Sequence, residues 1–185
     1  VEVRETIDYL TGERRDDRLH DVVIALGAEM LVTGGLTPDR ESAGQKLLGT
    51  LASGSAAERF ERMVSGLGGP THILRDTSAL AEAPHVVAVH ADRPGAVTAI
   101  DTRCVGLAVV ELGGGRRRAE DRIDHSVGLT EIAGLGDRVD GDRPLAIVHA
   151  KNEADAARAA DTLKAAFTLG DDEAAESSAI VEIVT

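Results

Sequence analysis

The period of the hydrophobic pattern changes once along this chain, near Pro84, and that change constrains the fold more than any other feature. Before Pro84, apolar residues recur at helical spacing, with no strand pattern between successive helices. After it, His85–His90 alternates with the period of two that is typical of a strand. The glycine-rich segment Gly66–Pro84 separates the two patterns. The sequence therefore predicts two domains, residues 1–83 and residues 84–185.

The first domain is predicted to consist of four helices. Their expected positions are Val1–Leu10, Arg18–Thr33, a helix capped by Thr37 with Pro38 in its first turn and ended by Gly54, and a helix that opens with a capping box over Ser55–Glu58. The second of these helices is expected to turn one apolar stripe towards the core, formed by Leu19, Val22, Val23, Leu26 and Met30. A run of helices without strands indicates either an α domain or the helical flank of a sheet whose strands lie elsewhere.

The second domain is predicted to mix strands and helices. The expected strands are His85–His90, Ala96–Ile100, Gly128–Ile132, Pro144–Ala150 and Ile180–Val184. The expected helices run from an Asp101 cap to Gly113, and from an Asn152 cap through a buried Phe167 to Gly170. The turn residues Arg93–Gly95 predict that the second strand returns beside the first as a hairpin. The predicted class is α/β, with α+β character in the second domain.

Composition excludes several classes of partner. A formal net charge of −12 disfavours binding to a nucleic-acid backbone, and an aromatic content of 2% leaves few side chains on which bases could stack. Cys104 is the only cysteine, so an internal disulfide is excluded and a reducing cytoplasm is favoured. No apolar run approaches the roughly 20 residues of a membrane span. We therefore expect a cytoplasmic globular protein without nucleic-acid or membrane partners.

The segment Gly113–Arg118, three glycines followed by three arginines, allows two interpretations. It could be a phosphate cradle, in which backbone N–H groups and guanidinium groups converge on an anion. It could instead be a structural loop whose arginines pair with nearby acids, namely Glu120, Asp121 and Asp124. The six histidines form no metal-binding spacing, and His90 and His149, within apolar strands, are expected to be core or edge histidines with satisfied hydrogen bonds.

The stretch Gly136–Leu145, G-D-R-V-D-G-D-R-P-L, is similar to the G-D-x-V-x-x-G-x-P-L stretch of lipoyl and biotinyl domains. Those domains are barrel-sandwich hybrids, so the likeness favours a small β-rich fold here. It also raises an alternative function, a non-catalytic carrier or binding module with Lys151 as the modified residue. Lys151 abuts the predicted cap of a helix, whereas a lipoylated lysine lies at the tip of a hairpin.

Several longer motifs, taken together, resemble one family along nearly the whole chain. They are L-T-G-E-x-R-x-x-R-L, D-T-R-x-x-G-x-A-V-V-x-x-G-G-G-R, I-D-x-S-V-G and L-G-D-x-V-D-G-x-R-P-L-A-x-x-H-A-K. They are similar to the C-terminal part of the thymidine/pyrimidine-nucleoside phosphorylase family. The resemblance implies that residues 1–83 are the final helices of a catalytic α/β domain, and that residues 84–185 are an α/β-hammerhead domain, which is barrel-sandwich hybrid-like. Because Val1 already lies inside a helical pattern, we expect the chain to be a piece of a longer polypeptide.

The resemblance also implies a function, in pyrimidine nucleoside salvage. Family members are pentosyltransferases that use phosphate to cleave thymidine, and in some branches uridine, into a free base and a pentose 1-phosphate. They are homodimers through a helical domain that precedes the part matched here. Their phosphate loop, Lys-His-Ser-x-Gly-Gly, and their base-binding residues also lie upstream. No catalytic or substrate-binding residue is therefore expected in this chain, and the choice between thymidine and uridine stays open. An anthranilate-phosphoribosyltransferase-like enzyme is a further alternative, which shares part of the fold but lacks the C-terminal domain.

One site residue does carry over from the resemblance. In pyrimidine-nucleoside phosphorylases, a glutamate of an E-V-x-E segment helps to hold a monovalent cation, potassium, near the phosphate loop. The segment Glu2–Glu5 matches that pattern, which assigns the role to Glu5. The alternative is that Glu5 is an ordinary solvated carboxylate on a helix. No organic cofactor is implied.

Overall fold

The computed structural model describes residues 1–171 and 178–180. Most of these residues belong to two compact units, each described here by itself. One unit spans Glu2–Ala79 and is helical, and the other includes residues 80–171 and combines helices with two small sheets. The chain is therefore a mixture of helix and sheet. No helix among the described residues is long and apolar enough to cross a membrane.

Four helices build the first unit. They are α1 (Glu2–Thr11), α2 (Asp17–Thr33), α3 (Arg40–Ala52) and α4 (Ser55–Gly66). Helices α2 and α3 pack closely because glycine lies at their contact, where a Cβ at Gly27 would stand 2.8 Å from Leu47 Cδ1. The buried residues of the unit are mostly small or aliphatic, namely Ile7, Tyr9, Ala28, Ala43, Leu51, Ala57 and Ile73.

A cluster around Tyr9 joins α1 to α2. The Tyr9 hydroxyl and His20 Nδ1 lie 2.8 Å apart, and Arg15 Nε donates to the Tyr9 carbonyl at 2.8 Å. The guanidinium carbon of Arg15 also lies 5.6 Å from the centre of the Tyr9 ring, a cation–π distance. Burial raises the pKa of the Tyr9 phenol. These contacts set the direction of the turn between the two helices.

Two predicted helix starts in this unit are wrong. Helix α3 is capped by Asp39, whose Oδ1 accepts the N–H of Ser42 at 2.8 Å, and not by Thr37. The capping box at Ser55 does not form. The cap position belongs to Gly54 in the left-handed region at φ 75°, and the Ser55 hydroxyl is directed to the Thr50 carbonyl instead. In both cases the cap position falls on a neighbouring residue, and only Asp39 supplies a side-chain cap bond.

The predicted apolar stripe of α2 is also wrong in direction. Leu26 is 62% exposed and Met30 is 74% exposed, and Leu19 and Val23 are exposed as well. The face that packs on α3 contains Gly27 and the buried Ala28, because small side chains allow two helices to approach closely. Four large side chains of the predicted stripe are therefore exposed, whereas Ile24 and Leu31 of the same helix are partly buried.

Two helices and six strands build the second unit. They are β1 (His85–Val89), β2 (Gly95–Ile100), α5 (Thr102–Leu112), β3 (Gly128–Thr130), β4 (Arg138–Val139), β5 (Ala146–Ala150), α6 (Glu153–Ala166) and β6 (Phe167–Gly170). One sheet has the order β1-β5-β3 and the other the order β4-β2-β6, and all four pairings are antiparallel. The core between these elements is aliphatic, with Val97, Leu112, Val139, Leu145, Val148 and Leu163 almost fully buried.

The predicted hairpin of β1 and β2 is wrong, because the two strands belong to different sheets. Strand β1 pairs with β5, with His85 opposite Ala150 and Val89 opposite Ala146. Strand β2 pairs with β4 and β6 instead. The turn between β1 and β2 therefore moves the chain from one sheet to the other.

The last helix ends earlier than predicted. Helix α6 stops at Ala166, and Phe167 begins β6, where it pairs with Ile100 of β2. Its backbone groups take sheet partners, which a helical pattern in the sequence does not reveal. The Asn152 cap is confirmed, since its Oδ1 accepts the N–H of Asp155 at 2.8 Å. The strand predicted for 180–184 lies, beyond its first residue, outside the described residues.

Candidate functional site

Helix α5 positions the glycine–arginine loop that follows it. The Asp101 cap is confirmed, because its Oδ1 accepts the N–H of Cys104 at 3.0 Å, and this bond lowers the pKa of the Asp101 carboxyl. Cys104 Sγ donates to the same carboxylate at 3.1 Å, which raises the pKa of the thiol. Gly113 ends the helix in the left-handed region at φ 101°, as predicted.

The next two glycines are needed for close packing against the last turn of α5. A Cβ at Gly114 would lie 3.0 Å from Val109 Cγ1 and 3.2 Å from the Val109 carbonyl oxygen. A Cβ at Gly115 would lie 2.8 Å from Val110 Cγ2. The loop is thus folded back on the helix, and only glycine fits at these positions without displacing a neighbour.

The loop's own carboxylate occupies the backbone donors that a phosphate cradle would need. Asp121 Oδ2 accepts the N–H of Arg117 at 3.0 Å and the N–H of Arg118 at 2.9 Å. Gly113 and Gly114 donate their N–H groups to carbonyls of α5. Four of the six backbone N–H groups of Gly113–Arg118 are therefore already bonded within the protein, and the structure favours the structural loop.

The predicted pairing of the arginines is wrong in detail. Arg117 Nη2 pairs with Glu111 of α5 at 3.2 Å, not with the acids that follow the loop. Asp124 binds the Ser126 hydroxyl at 2.6 Å and the Ser126 N–H at 3.0 Å, and the hydroxyl bond lowers the pKa of the Asp124 carboxyl. The Asp124 N–H also donates to the Gly113 carbonyl at 2.9 Å, which closes the loop at its base.

Four arginines of the loop, at 116, 117, 118 and 122, are exposed, and only Arg117 has an ion-pair partner among the described residues. The side chains of Arg116, Arg118 and Arg122 form no ion pair with any residue that the structure describes. We call these three side chains the arginine surface. They are what remains of the cradle hypothesis once the backbone donors are accounted for.

The two strand histidines have partners, as predicted. His90 Nδ1 lies 3.2 Å from the carbonyl oxygen of Asp140, and His149 Nε2 lies 2.9 Å from Thr130 Oγ1. Burial lowers the pKa of His149. No group of three or more His, Cys, Asp or Glu side chains within 1–171 and 178–180 is arranged to hold a metal ion.

Glu5 lies in the first turns of α1, and its side chain is exposed. It forms no ion pair or hydrogen bond with the part of the chain that the structure describes. Lys151 does not lie at a hairpin tip. Its Nζ lies 3.5 Å from Asp155 Oδ2 at the start of α6, a position that argues against the carrier module.

A shallow pocket in the second unit was not anticipated from the sequence. It has a volume of about 240 Å³ and is lined by Ala91, Asp92, Arg93, Leu145, Lys164, Phe167 and Leu169. Its charged groups are paired with one another or with Asp171, through Lys164–Asp92 at 2.6 Å and Arg93–Asp171 at 3.0 Å. Its residues come from the connection between β1 and β2, from Leu145 just before β5, and from α6 and β6, so no local motif could have indicated it.

Comparison with known proteins identifies the family of the chain. Residues 96–170, which begin in β2 and end with β6, match the family model described as the pyrimidine nucleoside phosphorylase C-terminal domain. The chain is 55% identical over 173 residues to the thymidine phosphorylase of Burkholderia lata. It belongs to the thymidine/pyrimidine-nucleoside phosphorylase family. Two further relatives named thymidine phosphorylase, from Burkholderia orbicola and Burkholderia cenocepacia, are 54% and 55% identical over the same length.

The match covers most of this chain but less than half of each relative. It covers 92% of this chain and 39% of each of the three relatives. The chain therefore spans well under half the length of the curated relatives it matches. These similarities do not favour the carrier module.

Proposed function

We propose that the full-length protein containing this chain is a thymidine phosphorylase, and that this chain is its C-terminal portion. The single observation that carries the proposal is the 55% identity to a thymidine phosphorylase along 92% of the chain. Its substrates are inorganic phosphate and thymidine or another pyrimidine nucleoside. The protein is a cytoplasmic homodimer that acts in nucleoside salvage.

The proposed reaction exchanges one bond at the sugar for another. A phosphate oxygen attacks C1′ of the deoxyribose while the bond from C1′ to N1 of the base breaks. The bonding electrons leave with the base, which takes up a proton and departs as thymine, and the sugar becomes 2-deoxyribose 1-phosphate. Groups that bind phosphate and stabilise the departing base supply the catalysis. None is assigned to this chain.

The role of this chain in the proposed enzyme is structural. Residues 1–83 are the final helices of the catalytic α/β domain, and residues 84–185 are the α/β-hammerhead domain, which is barrel-sandwich hybrid-like. The exposed apolar side chains of the first unit support this assignment. They include Leu26, Met30, Leu36, Leu48, Met63 and Leu67. So many exposed large apolar groups in one unit are typical of a surface that another part of a protein covers.

We further propose that Glu5 contributes a ligand to a potassium ion. A carboxylate oxygen suits a hard cation, and the exposed Glu5 side chain has no partner among the described residues. One carboxylate does not make a site, so the remaining ligands come from other segments of the full-length protein. In the full-length protein, Glu5→Gln should weaken the activation of thymidine cleavage by potassium and leave the melting temperature unchanged. A potassium dependence equal to that of the unaltered protein would return Glu5 to an ordinary surface position.

An assay of the full-length protein tests the main proposal. With thymidine and phosphate, thymine should be released in an amount equal to the 2-deoxyribose 1-phosphate formed. Replacing thymidine by uridine measures the preference between the two nucleosides. The 185-residue chain alone is the matched control and should release no thymine. Failure of the full-length protein would overturn the function, whereas thymine release by the chain alone would overturn the placement of the catalytic groups elsewhere.

A further inference from the structure

The arginine surface is an unusual concentration of positive charge on this protein. The chain has a formal net charge of −12, yet Arg116, Arg118 and Arg122 lie within seven residues and are all exposed. None pairs with a carboxylate of the described residues. Like charges carried on one short loop repel, and a bound anion relieves that repulsion.

The carboxylates nearest to the arginine surface are committed elsewhere. Three of the four acids in segment 111–124 have partners within the loop. Glu111 pairs with Arg117, Asp121 binds two backbone N–H groups, and Asp124 binds Ser126. Only Glu120 stays exposed beside the arginines without such a partner. Three of the four carboxylates are therefore already engaged, whereas Arg116, Arg118 and Arg122 form no ion pair with the described residues.

The backbone beneath the arginine surface is held in place. Asp121 fastens the N–H groups of Arg117 and Arg118, the Asp124 N–H binds the Gly113 carbonyl, and Gly114 and Gly115 pack against α5. A loop that is already folded loses little backbone entropy when it binds a ligand. The guanidinium groups are therefore displayed from a fixed support.

We propose that the arginine surface binds a phosphate group. The planar guanidinium presents paired N–H donors that match two oxygens of one phosphate, and the dianion also satisfies the charge of more than one arginine. The phosphate group belongs either to inorganic phosphate or to a pentose phosphate. The proposal stands whether or not the protein cleaves nucleosides, because it rests on the loop alone.

Nuclear magnetic resonance of the arginine Nε–Hε groups in the full-length protein tests the proposal at the site itself. The protein is titrated with inorganic phosphate, and separately with ribose 5-phosphate, while chloride keeps the ionic strength constant. We expect saturable shifts of Arg116, Arg118 and Arg122. The probe with the lower dissociation constant identifies the source of the phosphate group. Chemical shifts that change linearly and equally with phosphate and with chloride would show only general screening of the arginine charges by salt. That result would overturn the proposal.

Two triple variants sharpen the test. The first variant changes Arg116, Arg118 and Arg122 to Gln, and its phosphate binding is followed through the signals of Arg117 and the neighbouring amides. The dissociation constant should rise roughly tenfold or more, as expected for the loss of three exposed charge contacts. The matched control changes Arg59, Arg62 and Arg75, which are exposed in the first unit, and removes the same charge. Equal weakening in both variants would assign the effect to net charge and reject a site at the loop.

Discussion

At the scale of single residues, the polar side chains of the second unit mainly hold the backbone in place. Asp101 and Asn152 cap helices, Asp121 and Asp124 fasten one loop, and His149 joins β5 to β3 through Thr130. The lowered pKa values of Asp101 and Asp124 come from these hydrogen bonds. A lowered pKa at these positions therefore marks structural groups of the fold and does not indicate catalysis.

His149 makes the stability of the fold depend on pH. Burial lowers its pKa in the folded protein, whereas an unfolded histidine has a pKa of about 6.5. Below about pH 6.5 the unfolded chain therefore binds more protons than the folded chain, and the free energy of unfolding falls as the pH falls towards the lower, folded pKa. Above that pH both states are neutral and the effect vanishes.

We expect His149→Gln to reduce the loss of stability between about pH 8 and about pH 5. Denaturant unfolding at several pH values measures it. Thr130→Val is the control, because it removes the hydrogen bond to His149 and should cost about 1 kcal/mol at neutral pH without removing the titration. If the pH dependence of the His149 variant is unchanged, other groups cause the loss of stability at acid pH.

At the scale of elements, the glycines of α5 and its loop serve different purposes. Gly106 lies in the middle of α5, where a Cβ would meet nothing within 4 Å. Gly113 ends the helix in the left-handed region, and Gly114 lets the chain fold back on Val109. Helical propensity therefore favours alanine at Gly106, whereas packing opposes it at Gly114.

Alanine substitutions should separate these two roles. Gly106→Ala should raise the free energy of unfolding by about 0.5–1 kcal/mol, and Gly49→Ala in α3, which also has open space, by a similar amount. Gly114→Ala should lower it by about 1–3 kcal/mol, because the new methyl group is crowded by Val109. Thermal unfolding of the 185-residue chain measures all three. A stabilising Gly114→Ala would show that the loop is not packed as described.

At the scale of the whole molecule, the two units differ in how well they cover their own apolar groups. The second unit has a contiguous aliphatic core that draws on both sheets and both helices. The first unit buries fewer large side chains and exposes Leu26, Met30, Leu36 and Leu67 at 62%, 74%, 64% and 82%. Since apolar burial dominates folding free energy, the second unit is expected to be the more stable by itself.

Limited proteolysis tests the division of the chain. An unspecific protease should cut first between Gly66 and Pro84, where much of the chain forms turns, and leave a protected fragment that contains residues 85–171. Helix α5 serves as the internal control and should resist cleavage. Mass spectrometry of the fragments locates the cuts. Early cutting inside α5, with protection of the connecting segment, would contradict a boundary at this place.

The sequence patterns that predicted the structure correctly are local. The caps at Asp101 and Asn152, the helix end at Gly113 and the strand at His85–Val89 each depend on groups only a few residues apart. Such patterns express the geometry of a single turn or a single strand. The sequence also predicted that His90 and His149 would be hydrogen-bonded, because a polar ring among apolar residues must find a partner, but it did not predict which partners. The family itself was visible in longer motifs spread over most of the chain.

Only the tertiary structure decided which elements meet. It paired β1 with β5 instead of β2, made Phe167 a strand residue opposite Ile100, and left Met30 of α2 exposed. It also directed Asp121 to the loop backbone, and the arginine surface has no carboxylate partner in the part of the chain that the structure describes. These outcomes depend on groups that lie on other elements or compete for the same donor. Their choice follows from packing and hydrogen-bond competition in three dimensions, which the spacing of residues along one segment does not specify.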